Sequence, residues 1–276
     1  MLQSTPHYHM VDFSGGAVKN DLQGTQSISR AITILRILSE RERFGWRLVD
    51  LAARCGWSRP TTHRILTVLQ RERLVRQREE DRRYQLGPLA FELGLAVSPY
   101  MLFQHAAHDT VQGIARRFRT QAIVYTYSGL DTVCAACDGV SPYPSGLEVG
   151  TRLPLVCNVG GVAMLAALPP DRCTILVTAS EQLARERGLS TMKTLGQMIT
   201  RARAQGYALN LGKMTRGVNS FGLALFSHQK LFGALAIAGT AEAFPVERTE
   251  EVIAAMREAA RILEQTAASH GIRGDD

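Results

Sequence analysis

The chain has 276 residues, 45% of them hydrophobic and 21% charged, and a formal net charge of +7. That is enough for two domains with separate cores, and the positive balance favours a polyanionic partner. No apolar run approaches the roughly 20 residues that span a bilayer, and the first 25 residues lack the basic start and apolar core of a signal peptide, so no membrane partner and a cytoplasmic location are expected.

Residues 1–25, rich in Gly, Ser, His and Asn, are expected to be a disordered leader. A first helix is expected over residues 27–40, where Ile28, Ala31, Ile32, Leu35 and Leu38 recur at helical spacing. Leu48 to Cys55 is a compact amphipathic helix. Gly56 frees the backbone for a tight turn, Ser58 is a good N-cap, and Pro60 is tolerated in the first turn of the helix that follows. On that helix Thr62, Ile65, Leu66 and Leu69 should face a core. Pro60, Arg64, Thr67 and Arg71 point the other way, flanked by Thr61 and His63. An outward face of arginine, threonine and histidine at a helix N-terminus suits a major-groove reader.

A solvated helical hairpin is the plainer reading of this stretch, and two features favour DNA over it. Residues 74–77 and 83–86 alternate around the polar tip 78–82, forming a hairpin where a winged helix carries its wing. Charge is also concentrated there: residues 41–83 hold twelve arginines, no lysine and six acids. Arginine suits bidentate contact with phosphate and guanine, although Glu79, Glu80 and Asp81 at the tip would repel phosphate. The candidate DNA contacts are Arg59, Thr61, Thr62, His63, Arg64, Arg82 and Arg83.

Leu89, Phe91, Leu93 and Leu95 carry a helical connector interrupted at Pro99, and a further helix is expected over 106–119. His105, His108 and Asp109 share a face of it, read as solvated rather than metal-binding. From Gln121 the period changes. Residues 122–127 and 132–137 read as paired strands, 147–153 alternates, and Gly160-Gly161 precedes an apolar helix over 163–168. A helix over 194–205, two buried strands over 221–226 and 231–239, and a closing helix over 246–268 complete an α+β half with a mostly antiparallel sheet. The five cysteines, at 55, 134, 137, 157 and 173, form no disulfide framework, and the lone Cys134-Ala-Ala-Cys137 pair has no second pair for zinc.

Taken together, Ser29-Arg30-Ala31, Thr62-His63-Arg64-Ile65-Leu66, Tyr84-Gln85-Leu86-Gly87, residues 149–155 (VGTRLPL), Gly160-Gly161, Gly206-Tyr207 and Gly217-Val218 stand in an order and spacing that resemble the IclR (isocitrate lyase regulator) family of bacterial transcription factors. The resemblance runs from about residue 27 to 268. It implies a winged helix-turn-helix DNA-binding domain over 26–88, a helical linker over 89–104 and a GAF-like effector-binding domain over 105–270. It further implies a homodimer or homotetramer on a palindromic operator in double-stranded promoter DNA, with RNA polymerase as a further partner open to it.

The family resemblance also implies an effector pocket. Gly160 and Gly161 would offer N–H groups to a ligand carboxylate at the positive end of a helix. Asn210, Ser220 and Val218 would line the opposite side, Ala236 and Ala238 the floor, and Leu155 the loop before the helix. The chain departs from the family at Asn210, where an acidic run is common, at Val162, where lysine or arginine is usual, and at the two floor alanines. These changes suggest a small organic acid with an aromatic or otherwise apolar body as effector. No cofactor, metal or catalytic residue is expected. Two alternatives stand beside this reading: a redox-responsive regulator using Cys134 and Cys137, and a small-molecule enzyme fused to a DNA-binding domain.

Overall fold

The computed structural model describes residues 25–39, 44–142, 147–179, 192–213 and 216–274. The expected leader therefore lies almost wholly outside the described residues. The chain divides between Val97 and Ser98 into two compact units.

In the first unit, α1 (Gln26–Ser39), α2 (Leu48–Cys55) and α3 (Arg59–Arg71) precede a hairpin of β1 (Val75–Gln77) and β2 (Tyr84–Leu86). Ile34, Leu38, Leu51 and Leu66 are fully buried at its centre, with Leu69, Val75 and Tyr84 closing around them. Gly56 ends α2 in the left-handed conformation (φ +67°), its N–H directed to the carbonyls of Ala52 and Ala53, which gives the sharp turn into α3. The hairpin pairs Val75 with Leu86 and Gln77 with Tyr84. Sequence periodicity does not reveal a third strand position: Trp46 is buried and bridges Tyr84 through hydrogen bonds of 2.9 and 2.8 Å, joining the wing to the segment between α1 and α2. A short helix α4 (Pro88–Leu95) ends the unit and buries none of its residues.

The second unit opens with α5 (Ser98–Phe118), a continuous 21-residue helix. The interruption expected at Pro99 falls at Ala96-Val97, between α4 and α5, and Pro99 itself sits in the first turn of α5, where its missing N–H has no intrahelical acceptor to lose. Phe103, Ala107, Val111, Ile114 and Phe118 form its buried stripe. Six strands make one antiparallel sheet in the order β5-β4-β3-β8-β7-β6: β3 (Gln121–Ser128), β4 (Asp131–Asp138), β5 (Arg152–Pro154), β6 (Ala208–Leu211), β7 (Val218–Ser227) and β8 (Lys230–Thr240). The strand expected over 147–153 shortens to β5, because Val149-Gly150 turns the chain with Gly150 at φ +86°.

Side chains alternate along the strands between two cores. One face packs Ala122, Val124, Phe221, Leu223 and Ile237 against α5 and the closing helix α9 (Thr249–Ser269), with Phe221 and Phe244 edge to face at 5.6 Å. The other packs Ile123, Tyr125, Ala234 and Ala236 against α6 (Val159–Ala167) and α8 (Met192–Gln205). A further helix, α7 (Pro170–Ala179), buries Cys173 and Leu176 on that side.

Candidate functional site

The helix-turn-helix presents α3 through a built N-terminus. Ser58 is extended, its hydroxyl accepts from the Thr61 N–H at 3.3 Å, and its Oγ lies 2.8 Å from that of Thr61. Beyond this cap Arg59, His63 and Arg64 are exposed on one face, together with Thr67, and Thr61 is half-buried beside them. No described residue pairs with the Arg59 or Arg64 guanidinium among the ion pairs and hydrogen bonds found. Thr62 does not belong to this surface. It is fully buried, and its hydroxyl donates to the Ser58 carbonyl at 3.1 Å, so its place at the start of the core-facing stripe overrides its polarity.

The wing corrects a second expectation. Arg83 is half-buried and turned inward: it donates to the carbonyls of Phe44 at 3.3 Å and Gly45 at 3.4 Å and pairs with Asp81 at 3.2 Å. Arg78 likewise donates to the Phe44 carbonyl at 2.9 Å and holds Asp81 from its other side. These two arginines fasten the wing to the segment before α2 and are not free for phosphate. The same contacts remove part of the objection raised by the acidic tip. The hydrogen bond from Arg78, reinforced by Arg83, holds the Asp81 carboxyl below the ordinary carboxylate range and neutralises its charge locally. Arg82 is exposed, in the left-handed conformation at φ +57°.

In the second unit the expected glycine cradle has a different job. Asn158 caps α6, and its side-chain oxygen accepts from the Gly161 N–H at 2.8 Å, so this donor is already used within the chain. The helix thus begins at Val159, and both glycines lie inside its first turn. A Cβ on Gly161 would stand 2.0 Å from the Leu155 carbonyl oxygen, and one on Gly160 would stand 2.7 Å from the Tyr125 ring. Close packing of α6 on the sheet, and not presentation of two free donors, explains the pair. Leu155 is buried in the same apolar cluster as Tyr125 and Ala236.

The remaining expected residues do converge. Register places Asn210 opposite Ser220, Ser220 opposite Ala238, and Ala238 opposite Gln121, a lateral row across β6, β7, β8 and β3 on the face that carries α6. Ala236 lies one same-face position along β8, and Val218 one along β7. All are buried. Asn210 is oriented on both sides: its amide NH2 donates to the Val218 carbonyl at 3.1 Å and to the Ser220 hydroxyl at 3.3 Å, while its oxygen accepts from the Lys213 N–H at 3.0 Å. Ser220 therefore accepts from Asn210 and has its own proton to give elsewhere. The first turn of α6 rests close by, since a Cβ on Gly222, the next same-face residue of β7, would stand 2.5 Å from the Val159 carbonyl oxygen.

Gln121 was missed by sequence reasoning. It is 3% exposed, and its side-chain oxygen has no hydrogen-bond partner among the described residues. The available signal was a glutamine at the head of an apolar strand; only register shows that it shares a row with Ser220 and Asn210.

Family models match both halves: the IclR helix-turn-helix domain over residues 27–79 and the bacterial transcriptional regulator IclR C-terminal domain over 142–265. Among curated relatives, the chain is 29% identical over 254 residues to the glycerol operon regulatory protein of Streptomyces griseus, covering 85% of this chain and 93% of that protein. It is 28% identical over 208 residues to the transcriptional regulator Rv1719 of Mycobacterium tuberculosis, covering 73% and 77%. Two solved structures share the fold. An IclR family regulator from Brucella abortus superposes with a TM-score of 0.74 at 23% identity, covering 91% of this chain and 95% of that one. An IclR homologue from Microbacterium hydrocarbonoxydans, complexed with 4-hydroxybenzoate, superposes with a TM-score of 0.66 at 18% identity, covering 88% and 99%. With a helix-turn-helix, a C-terminal domain and their order along the chain all matched, this protein belongs to the IclR family of bacterial transcriptional regulators.

Proposed function

We propose that the protein binds a palindromic promoter site as a homodimer in the cytoplasm, and that a small organic acid held on the α6 face of the sheet sets its DNA affinity. The observation that carries the effector reading is the buried polar row. Ser220 has a hydroxyl proton to donate beside the positive end of α6, which suits a carboxylate. Gln121 stands two strand spacings away, on the order of 9.6 Å across the sheet, with the small side chain of Ala238 between them. A compact acid with an apolar body fits that span, and the 4-hydroxybenzoate held by the Microbacterium homologue is of this chemical class. Asn210 in place of an acid adds no negative charge to the row.

On the DNA side, Arg59, Thr61, His63 and Arg64 would meet base edges and the adjacent backbone, and Arg82 a phosphate. Self-association is supported by α4, which leaves Phe91 68% exposed and Leu93 55% exposed within the described residues. The bound acid would be sensed without being turned over.

The test is binding of the full chain to its own upstream promoter DNA at fixed salt, with benzoate, 4-hydroxybenzoate and short aliphatic acids each added in turn. The expected result is specific binding that one acid shifts by tenfold, about 1.4 kcal/mol of coupling. Specific binding that no acid alters would overturn the effector reading and leave the DNA-binding reading standing. Recovery of a chemically changed acid would favour an enzyme instead.

A further inference from the structure

Two thiols three residues apart on a regular strand point to opposite faces, because side chains alternate with a period of two. Strand β4 is not regular at this point. Its register with β3 shifts between Val124 and Tyr125: Val124 pairs with Ala136 but Tyr125 pairs with Cys134, leaving Ala135 without a partner. The extra residue of this β-bulge returns Cys134 and Cys137 to the same face. Both join the apolar cluster beneath α6, Cys134 buried and Cys137 half-buried at its margin. The two thiols are near enough to shift each other's ionisation in opposite directions.

This pair also holds the turn that precedes β5. Cys137 Sγ donates to the Leu147 carbonyl at 3.3 Å. The Cys134 backbone N–H donates to the Thr151 carbonyl at 2.9 Å, and its carbonyl accepts from the Gly150 N–H at 2.8 Å. The turn therefore leads from the thiols into β5 and on to the start of α6.

We propose that Cys134 and Cys137 are a reversible redox pair, oxidised by hydroperoxides to a disulfide that loosens the turn at residues 147–151. Cys137 reacts first, since it is the more exposed. Its sulfur attacks the hydroperoxide, the O–O bond breaks, and the products are Cys137 sulfenic acid and an alcohol (water, when the oxidant is hydrogen peroxide). Cys134 sulfur then attacks the sulfenic sulfur, the S–S bond forms, and the sulfenic oxygen leaves as water with the Cys134 proton. The thiols lose two electrons in all, and the peroxide gains them. The neighbouring Cys134 thiol holds the Cys137 thiol below its ordinary range, while Cys137 and burial push Cys134 up, which matches an attacking and a resolving thiol. Two register steps along a strand separate the Cα atoms by roughly 6.6 Å, near the upper end of what a disulfide spans. Oxidation removes the S–H that holds the Leu147 carbonyl.

The experiment treats the reduced full chain with hydrogen peroxide and maps its cysteines by mass spectrometry after thiol blocking. A peptide joining Cys134 to Cys137 and lacking two hydrogens, restored by dithiothreitol, is the expected result. In Cys134→Ser the reaction should stop at a dimedone-trapped sulfenic acid on Cys137. Hydrogen exchange of residues 147–153 should be several-fold faster in the oxidised than in the reduced wild-type chain, a comparison that needs no variant. Oxidation confined to Cys55, Cys157 or Cys173 overturns the assignment of the pair. A Cys134–Cys137 disulfide with unchanged exchange overturns the loosening of the turn.

Discussion

At the scale of single residues, the chain uses small or polar side chains where backbone must approach backbone. Gly161 is the sharpest case. Helix propensity alone favours alanine over glycine by about 1 kcal/mol, but the added methyl would meet the Leu155 carbonyl oxygen at 2.0 Å. Overpacking of that kind costs up to about 3 kcal/mol. Gly161→Ala should thus destabilise the second unit by about 2 kcal/mol net in urea unfolding, whereas an exposed-helix glycine replacement would stabilise it. Gln121 supports a functional prediction. If its side chain meets a hydroxyl on the effector, Gln121→Leu should weaken binding of the hydroxylated acid about tenfold. Binding of the acid without that hydroxyl should hardly change. Calorimetric titration with the two acids measures this, and equal losses for both would reduce Gln121 to a packing residue.

At the scale of elements, the wing depends on charge. Asp81, with Arg78 and Arg83, ties the hairpin to the Phe44 and Gly45 carbonyls. Its folded-state pKa is lowered, so its contribution is present above the ordinary aspartate range and is lost as pH falls through the lower, folded value. Acidification should open the wing from that range downward, read as a change in emission of Trp46, which is buried and bridged to the wing. Asp81→Asn should flatten this dependence; a variant with the wild-type profile would place the titration elsewhere.

At the scale of the whole molecule, the palindromic operator we propose would ask two recognition helices to meet half-sites about 34 Å apart. That geometry would need a dimer, and α4 offers exposed apolar side chains, Phe91, Leu93 and Leu95, for its contact. The double variant Phe91→Ser/Leu93→Ser should sediment as a monomer and bind promoter DNA at least tenfold more weakly. Unchanged sedimentation would move the dimer contact to another surface.

Much of the molecule follows from the order of its residues. The α2–turn–α3 unit, the Ser58 cap, the β1–β2 hairpin and the helical periods of α1 and α9 rest on contacts within a few residues of one another, where local geometry admits few solutions. The α+β pattern of the second half was legible for the same reason. Tertiary structure decided the rest. Trp46 pairs with a strand 38 residues away, Thr62 and Arg83 turn inward, and a bulge sets two cysteines on one face. The candidate effector row joins Gln121 to Asn210, Ser220 and Ala238 across 117 residues of chain. No local preference encodes such a row; it arises when many strand pairings are satisfied together and fix one register for the whole sheet.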